Sequence, residues 1–285
     1  MTRKKGMMTV DTFERILSEM ESFKPGLSLH LAGESFLHKN LFGYIKQAKH
    51  LGFYVRITTN GTLLKENDYG ILDSGIDYIN ISLSGADFED YKLIHNTDNF
   101  YDIKNNIINL AKKKIEKNLN TNIYVNFVST HNNKTQLIKI KNMFESIPGI
   151  NGVIIRDLIN WSGGIDIRKS NLHYSGIRQI CGRLILSNIV FLALYRLLIQ
   201  RKSWNEFWNA PWCPSINNSA GILWDGSVVP CCFDYNGELA MGNINEKRFL
   251  EIWNGPKMNK LRIMVKSRKS TFHHPVCGPC RFGTL

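Results

Sequence analysis

The first 160 residues alternate two hydrophobic periods, and that alternation limits the fold more than any other feature. Short runs rich in β-branched residues, LSLHLAG (27–33), YVRITTNG (54–61), YINISLSG (78–85), IYVNFVST (123–130) and VIIRDLI (153–159), mostly stop at Gly, Asn or Ser. Between them lie VDTFERILSEMES, KNLFGYIKQAKHLG, LLKENDYGILDSG, YDIKNNIINLAKKKIEK and NKTQLIKIKNMFES, whose apolar residues recur at helical spacing. Strands separated by helices pair in parallel, with the helices packed on the sheet. Crossovers of one hand set the carboxyl ends of successive strands along one rim, and function is to be sought there.

The rhythm breaks over 161–210. Its stretch LILSNIVFLALY, between Arg183 and Arg196, is the most apolar run in the chain but falls short of the roughly 20 residues that span a bilayer. A buried helix is the simpler expectation; an interfacial helix in contact with a membrane is the alternative. Residues 211–285 are rich in Trp, Gly and Cys, carry the turn signals WDGSV and DYNGE, and contain one helical pattern, EKRFLEIWNGPKMNKLRIMVKS. Three parts are therefore expected: an α/β domain (1–160), a bridging region (161–210) and a small cysteine-rich domain (211–285).

The six cysteines, at 181, 213, 231, 232, 277 and 280, all fall late in the chain. Cys277-x-x-Cys280 sets two thiolates on one metal through a tight turn, while Asp225-Gly226 favours a hairpin that brings Cys231 near, and Cys213 completes four. Four thiolates suit zinc and a [4Fe-4S] cluster equally, so spacing leaves the metal open. Cys232 is a small buried residue or an alternate ligand, and Cys181 a structural thiol. The start, MTRKKGMMT, lacks an apolar signal core, which points to a cytoplasmic protein with free or metal-bound thiols instead of disulfides.

With 285 residues and 43% hydrophobic composition the chain can bury a sizeable core. Its net charge of +12 suits an anionic partner, yet Lys112, Lys113, Lys114 and Lys117 fall as on a solvated helix face. No basic segment interleaves aromatics, which disfavours nucleic acid. Neither a Ser-His-Asp nor an HExxH arrangement offers a hydrolase, and His273-His274 reads as loop.

Cys213, Gly226-x-x-x-x-Cys231, the flanking DGSVVPCC, GNINEKRFLEIWNGPKMNKLR and Cys277-x-x-Cys280 together resemble the SPASM domain of radical S-adenosylmethionine (SAM) enzymes. That resemblance covers about residues 211–285 and implies an auxiliary [4Fe-4S] cluster held by Cys213, Cys231, Cys277 and Cys280. The front half is similar to the radical SAM partial (β/α) barrel. Gly33-Glu34 resembles the motif that holds the SAM amino group, Thr59-Asn60-Gly61 the motif at the SAM ribose, and Ser82-Leu83-Ser84-Gly85 the next strand's motif, with Ser84 where aspartate is common. Singly these are ordinary turn residues; their order and spacing carry the resemblance. It implies SAM at Gly33, Glu34, Thr59, Asn60 and Ser82, a peptide or cell-surface-polysaccharide-related substrate, and an electron donor such as a flavodoxin or ferredoxin. It names no catalytic residue.

The chain departs from that family at its start. The CxxxCxxC loop that binds the catalytic cluster follows the first strand in the family and precedes a segment much like RKKGMMTVDTFERIL, where this sequence begins. The expectation is a barrel without its first strand, an exposed edge at 27–33, and no SAM cleavage by this chain alone. Three readings compete: an N-terminally incomplete radical SAM/SPASM oxidoreductase, a non-catalytic SPASM protein that binds a peptide or relays electrons, and a zinc-stabilised binding module.

Overall fold

The computed structural model describes residues 2–129, 133–157, 213, 215–266 and 276–277. Its centre is a five-stranded parallel sheet in which neighbours in space are neighbours in sequence. The strands are β1 (Leu27–Ser28), β2 (Val55–Thr59), β3 (Tyr78–Ser84), β4 (Asn122–Ser129) and β5 (Gly152–Asp157). Helix α1 (Val10–Met20) precedes them, and α2 (Leu41–His50), α3 (Leu64–Asp73), the pair α4 (Phe88–His95) and α5 (Phe100–Glu116), and α6 (Lys134–Glu145) fill the successive crossovers.

Alternation along each strand decides what each sheet face does. Val55 and Ile57, then Ile79, Ile81 and Leu83, then Ile123, Val125 and Phe127 belong to one fully buried cluster with Ile45, Leu64, Ile103, Ile107 and Phe144. Burying each such side chain contributes about 1.5–3 kcal/mol, so this face carries most of the fold's stability. The intervening residues, Arg56, Thr58, Tyr78, Asn80, Ser82, Tyr124 and Asn126, form the opposite face and are mostly polar.

The C-terminal part holds a three-stranded antiparallel sheet, β6 (Gly221–Ile222), β7 (Ser227–Val229) and β8 (Gly242–Asn243), with short helices α7 (Ser215–Asn218), α8 (Phe249–Trp253) and α9 (Pro256–Lys266). Both turn signals form. Gly226 and Gly237 adopt φ of +84° and +76°, a region that favours glycine. At Gly226 a Cβ would also lie 2.4 Å from Asn245 Nδ2. Val228, Ile244, Phe249 and Ile252 join the barrel's own core cluster, while Ile216, Met258, Leu261 and Val265 form a second, smaller one. The two parts also meet through α1: Glu19 accepts from the Phe249 backbone N–H at 3.2 Å, and Thr12 donates to Asn245 Oδ1 at 3.2 Å.

Two expectations need correction. The helical pattern from 246 to 267 is two helices, because Pro256 offers no N–H to continue α8 and instead starts α9. The run at 27–33 pairs with β2 over Leu27–Ser28 alone; beyond it the chain turns through Gly33, at φ +121°. The apolar stretch at 184–195 and Cys181 lie outside the described residues. Among those described, no helix is long and apolar enough to cross a membrane.

Candidate functional site

At the carboxyl ends of β1 and β2 the predicted residues come together around Glu34. Its Oε1 accepts from Thr59 Oγ1 at 2.9 Å and from the Phe36 N–H at 3.2 Å. Its Oε2 accepts from the Asn60 N–H at 2.8 Å. One carboxylate thus caps the short 3₁₀ turn Ser35–Leu37 and fastens two strand ends to each other. With about four acceptor positions on a carboxylate, it retains capacity for a ligand amine. Thr59 is buried and receives the Gly61 N–H at 3.1 Å, while exposed Asn60 accepts from the Thr62 N–H and hydroxyl at 3.0 and 2.7 Å. Gly61 has φ +80°, and a Cβ there would lie 2.8 Å from Ile103.

Ser82 follows on the neighbouring strand, one residue beyond the Thr59–Ile81 register pair. The β3–β4 register shifts between Ser82 and Ser84, where Ser84 takes φ +64°. Gly85 is required for space, since a Cβ would stand 2.4 Å from the Tyr91 backbone. The strand end is therefore a shaped turn held under α4, a helix that sequence periodicity did not reveal.

Of the cysteine site, Cys213, Cys231, Cys232 and Cys277 lie among the described residues. The Cys213 thiol is close enough to act electrostatically on both Cys231 and Cys232, and Cys213 and Cys277 both pack on the cluster of Ile216, Met258, Leu261 and Val265. Burial pushes the Cys231 thiol up to about 11, with the backbone N–H groups of Phe233 and Asp234 pulling the other way. Asp234 is itself fixed, its carboxylate accepting from the Glu238 and Leu239 N–H groups at 2.8 and 2.9 Å. Cys280 lies outside the described residues. Among the described residues no three or more Cys, His, Asp or Glu are grouped closely enough to hold a metal ion. Even so, two thiols on one apolar floor and a third, Cys231, facing two backbone N–H donors are the kind of donor set an iron–sulfur cluster takes.

A third group was not foreseen. On the polar sheet face His30 Nε2 lies 3.2 Å from Thr58 Oγ1. Burial, then the Arg56 charge, lowers its pKa to about 4. A lone histidine inside an apolar run gives no sequence signal for such a position.

An α/β sheet with strand-end SAM-type motifs and an appended cysteine domain defines a class of cofactor-binding protein, and comparison with known proteins makes it specific. Residues 1–132 match the Radical SAM superfamily, and residues 213–281 match SPASM, an iron-sulfur cluster-binding domain. The chain thus matches, in order, the two domains that make up radical SAM/SPASM proteins. The matched domains are those for SAM in the first part and for an iron–sulfur cluster in the second.

A tungsten-containing aldehyde ferredoxin oxidoreductase cofactor-modifying protein of Pyrococcus furiosus is 21% identical over 96% of this chain and 79% of its own length. The structure of Streptococcus suis SuiB bound to precursor peptide SuiA superposes with a TM-score of 0.67 at 17% identity, covering 97% of this chain and 64% of that one. BtrN in complex with AdoMet and 2-DOIA gives a TM-score of 0.54 at 17% identity, over 98% of this chain and 82% of that one. At such identities the structures establish the fold alone.

Proposed function

We propose that the chain is a radical SAM/SPASM oxidoreductase-type protein that binds SAM and an auxiliary cluster and acts on a peptide or a cell-surface-polysaccharide-related molecule. The observation that carries this reading is the Glu34 network, which joins Gly33-Glu34 to Thr59-Asn60 with Ser82 on the next strand end. In that arrangement Gly33 and Glu34 would receive the SAM amino group, Thr59 and Asn60 would lie at its ribose, and Ser82 would complete the site from the next strand. Cys213, Cys231, Cys277 and Cys280 hold one auxiliary [4Fe-4S] cluster. When bound, SAM supplies hydrogen-abstracting power on reductive cleavage, and the cluster supplies one-electron transfer.

The chain's own contribution is positioning and shielding. Burial of Cys231 and its two backbone N–H donors favour a metal-bound thiolate over a free one, since a coordinating thiol is deprotonated. No cysteine precedes Cys181, so the thiolates of a SAM-cleaving cluster are not among these 285 residues. We expect SAM binding without cleavage unless further residues or a partner supply them. Support for this reading comes from the P. furiosus relative, whose name describes modification of an oxidoreductase cofactor.

Anaerobic reconstitution with iron and sulfide tests it. About four irons per chain with broad visible absorbance, and no 5′-deoxyadenosine released under reductant, is the expected result. Zinc alone, or no metal, overturns the cluster assignment.

A further inference from the structure

Residues 2–8 lie in neither helix nor strand and are mostly exposed, yet they are anchored at both candidate sites. At one end the Thr2 N–H donates to Asn236 Oδ1 at 3.1 Å, Arg3 Nε to Tyr235 O at 3.2 Å, and Trp224 Nε1 to Lys4 O at 3.1 Å. Gly6 then passes against the Trp224 ring, where a Cβ would lie 2.3–2.5 Å from three ring atoms. At the other end the Met8 carbonyl accepts from His38 Nε2 at 2.9 Å and from the Tyr44 hydroxyl at 3.0 Å. His38 Nδ1 accepts from the Asn40 N–H at 3.1 Å, which makes Nε2 the donor.

Each anchor belongs to one site. Tyr235 and Asn236 continue the turn that the Asp234 N–H closes on Cys231 O at 3.2 Å. His38 ends the 3₁₀ turn Ser35–Leu37, with its N–H on Ser35 O at 3.0 Å, and Glu34 caps the start of that same turn. A shift of residues 2–8 is therefore felt at the Cys231 loop and at the Glu34 turn together.

The segment is held lightly. Exposed hydrogen bonds contribute little net, and docking closes Arg3 Nη1 off from water without a partner, which costs stability. Elements with few buried contacts open well below the free energy of global unfolding, so a docked and a released state both lie within reach. Charge decides what favours docking. Residues 3–5 are Arg-Lys-Lys, and Arg3 rests on the loop that follows Cys231 and Cys232. Free cysteine thiols are largely uncharged at neutral pH, whereas an iron–sulfur core held by four thiolates is net negative. Loading that site thus draws the cationic segment onto it.

We propose that residues 2–8 are a strap that couples the two sites: loading the cysteine site docks the strap, the docked strap steadies the turn between Glu34 and His38, and SAM binds more tightly as a result. The strap rests on the function proposed above and adds a regulation of its two sites. Coupling between binding sites is reciprocal, so SAM strengthens metal retention by the same factor.

The test measures SAM affinity by calorimetry in the iron-loaded and the metal-free full chain, together with hydrogen exchange at the Phe36, Leu37 and His38 amides. Loading should tighten SAM binding at least about fivefold and slow exchange at those three amides. Gly6→Val, which wedges a side chain against Trp224, should abolish both effects at equal iron content. Arg3→Gln, which removes a charge from the strap, should weaken both. SAM affinity that loading leaves unchanged, or coupling that either variant leaves at the wild-type factor, overturns the strap. Failure of the underlying function reads differently. A chain that takes up no iron overturns the cluster assignment and the strap with it. One that loads iron but binds no SAM overturns the SAM site, and amide exchange then decides the strap alone: slowing that Gly6→Val abolishes supports it, and no slowing ends it.

Discussion

The strand-end rim and the cysteine domain are the two proposed cofactor sites, and their described residues are held in different ways. At the rim, Glu34 has partners on both oxygens, and Gly61 and Gly85 fit conformations and spaces that other residues cannot share. In the cysteine domain Cys213 and Cys277 pack on the same small core, and the described residues include no group of three or more metal-ligating side chains. A carboxylate and the N–H and O–H donors around it attract one another unaided, whereas thiolates repel one another until a cation joins them. Hydrogen bonds and packing hold the first site together; on the proposed reading a metal would join the second.

The largest effect expected from this contrast is on metal removal. Chelation, or Cys231→Ala, should strip hydrogen-exchange protection from β6 to α9, where binding energy is folding energy, and leave β2 to β4 protected. Equal protection in both parts would erase the contrast.

The barrel should instead respond to its core. Ile81→Ala, at a fully buried position, is expected to cost about 2–5 kcal/mol in urea unfolding with unchanged iron content.

His30 sharpens the comparison through pH. Its folded pKa of about 4 lies below the ordinary 6.5, so as pH falls through that window the unfolded chain takes up a proton that the folded one refuses. Stability present above about pH 6.5 is lost toward pH 4, by on the order of 3 kcal/mol. Urea midpoints measured across that range should flatten in His30→Gln.

The smallest expected change in stability is at Glu34 itself. Glu34→Gln retains one acceptor oxygen for Thr59 and Phe36, bonds that lose their charge assistance, but turns an amide NH2 toward the Asn60 N–H and loses that bond, and should cost about 1–2 kcal/mol by thermal unfolding.

Much of this architecture is legible in the sequence because periods of 2 and 3.6 residues are local. VRITT and NIYVNFVS alternate, and they form β2 and β4 almost at the expected bounds. The rim residues are legible through motif order. What joins them is not: Glu34 meets Thr59 across 25 positions, and no local pattern records that distance. Helix α4 escapes notice because FEDYKLIH is eight residues long and buries only Tyr91. The polar face escapes for a different reason, since His30, Asn80 and Asn126 interrupt apolar runs that read as buried strands whichever side their polar members take. The break before Pro256 was legible in principle, because proline cannot extend a helix that precedes it.

The most direct measurement is calorimetric titration of SAM into the iron-reconstituted chain beside its Glu34→Gln variant. One SAM per chain for the wild type, with affinity at least tenfold weaker in the variant at equal iron content, is the predicted result. Equal affinity in both, or no binding by the wild type, would contradict a SAM site built on Glu34.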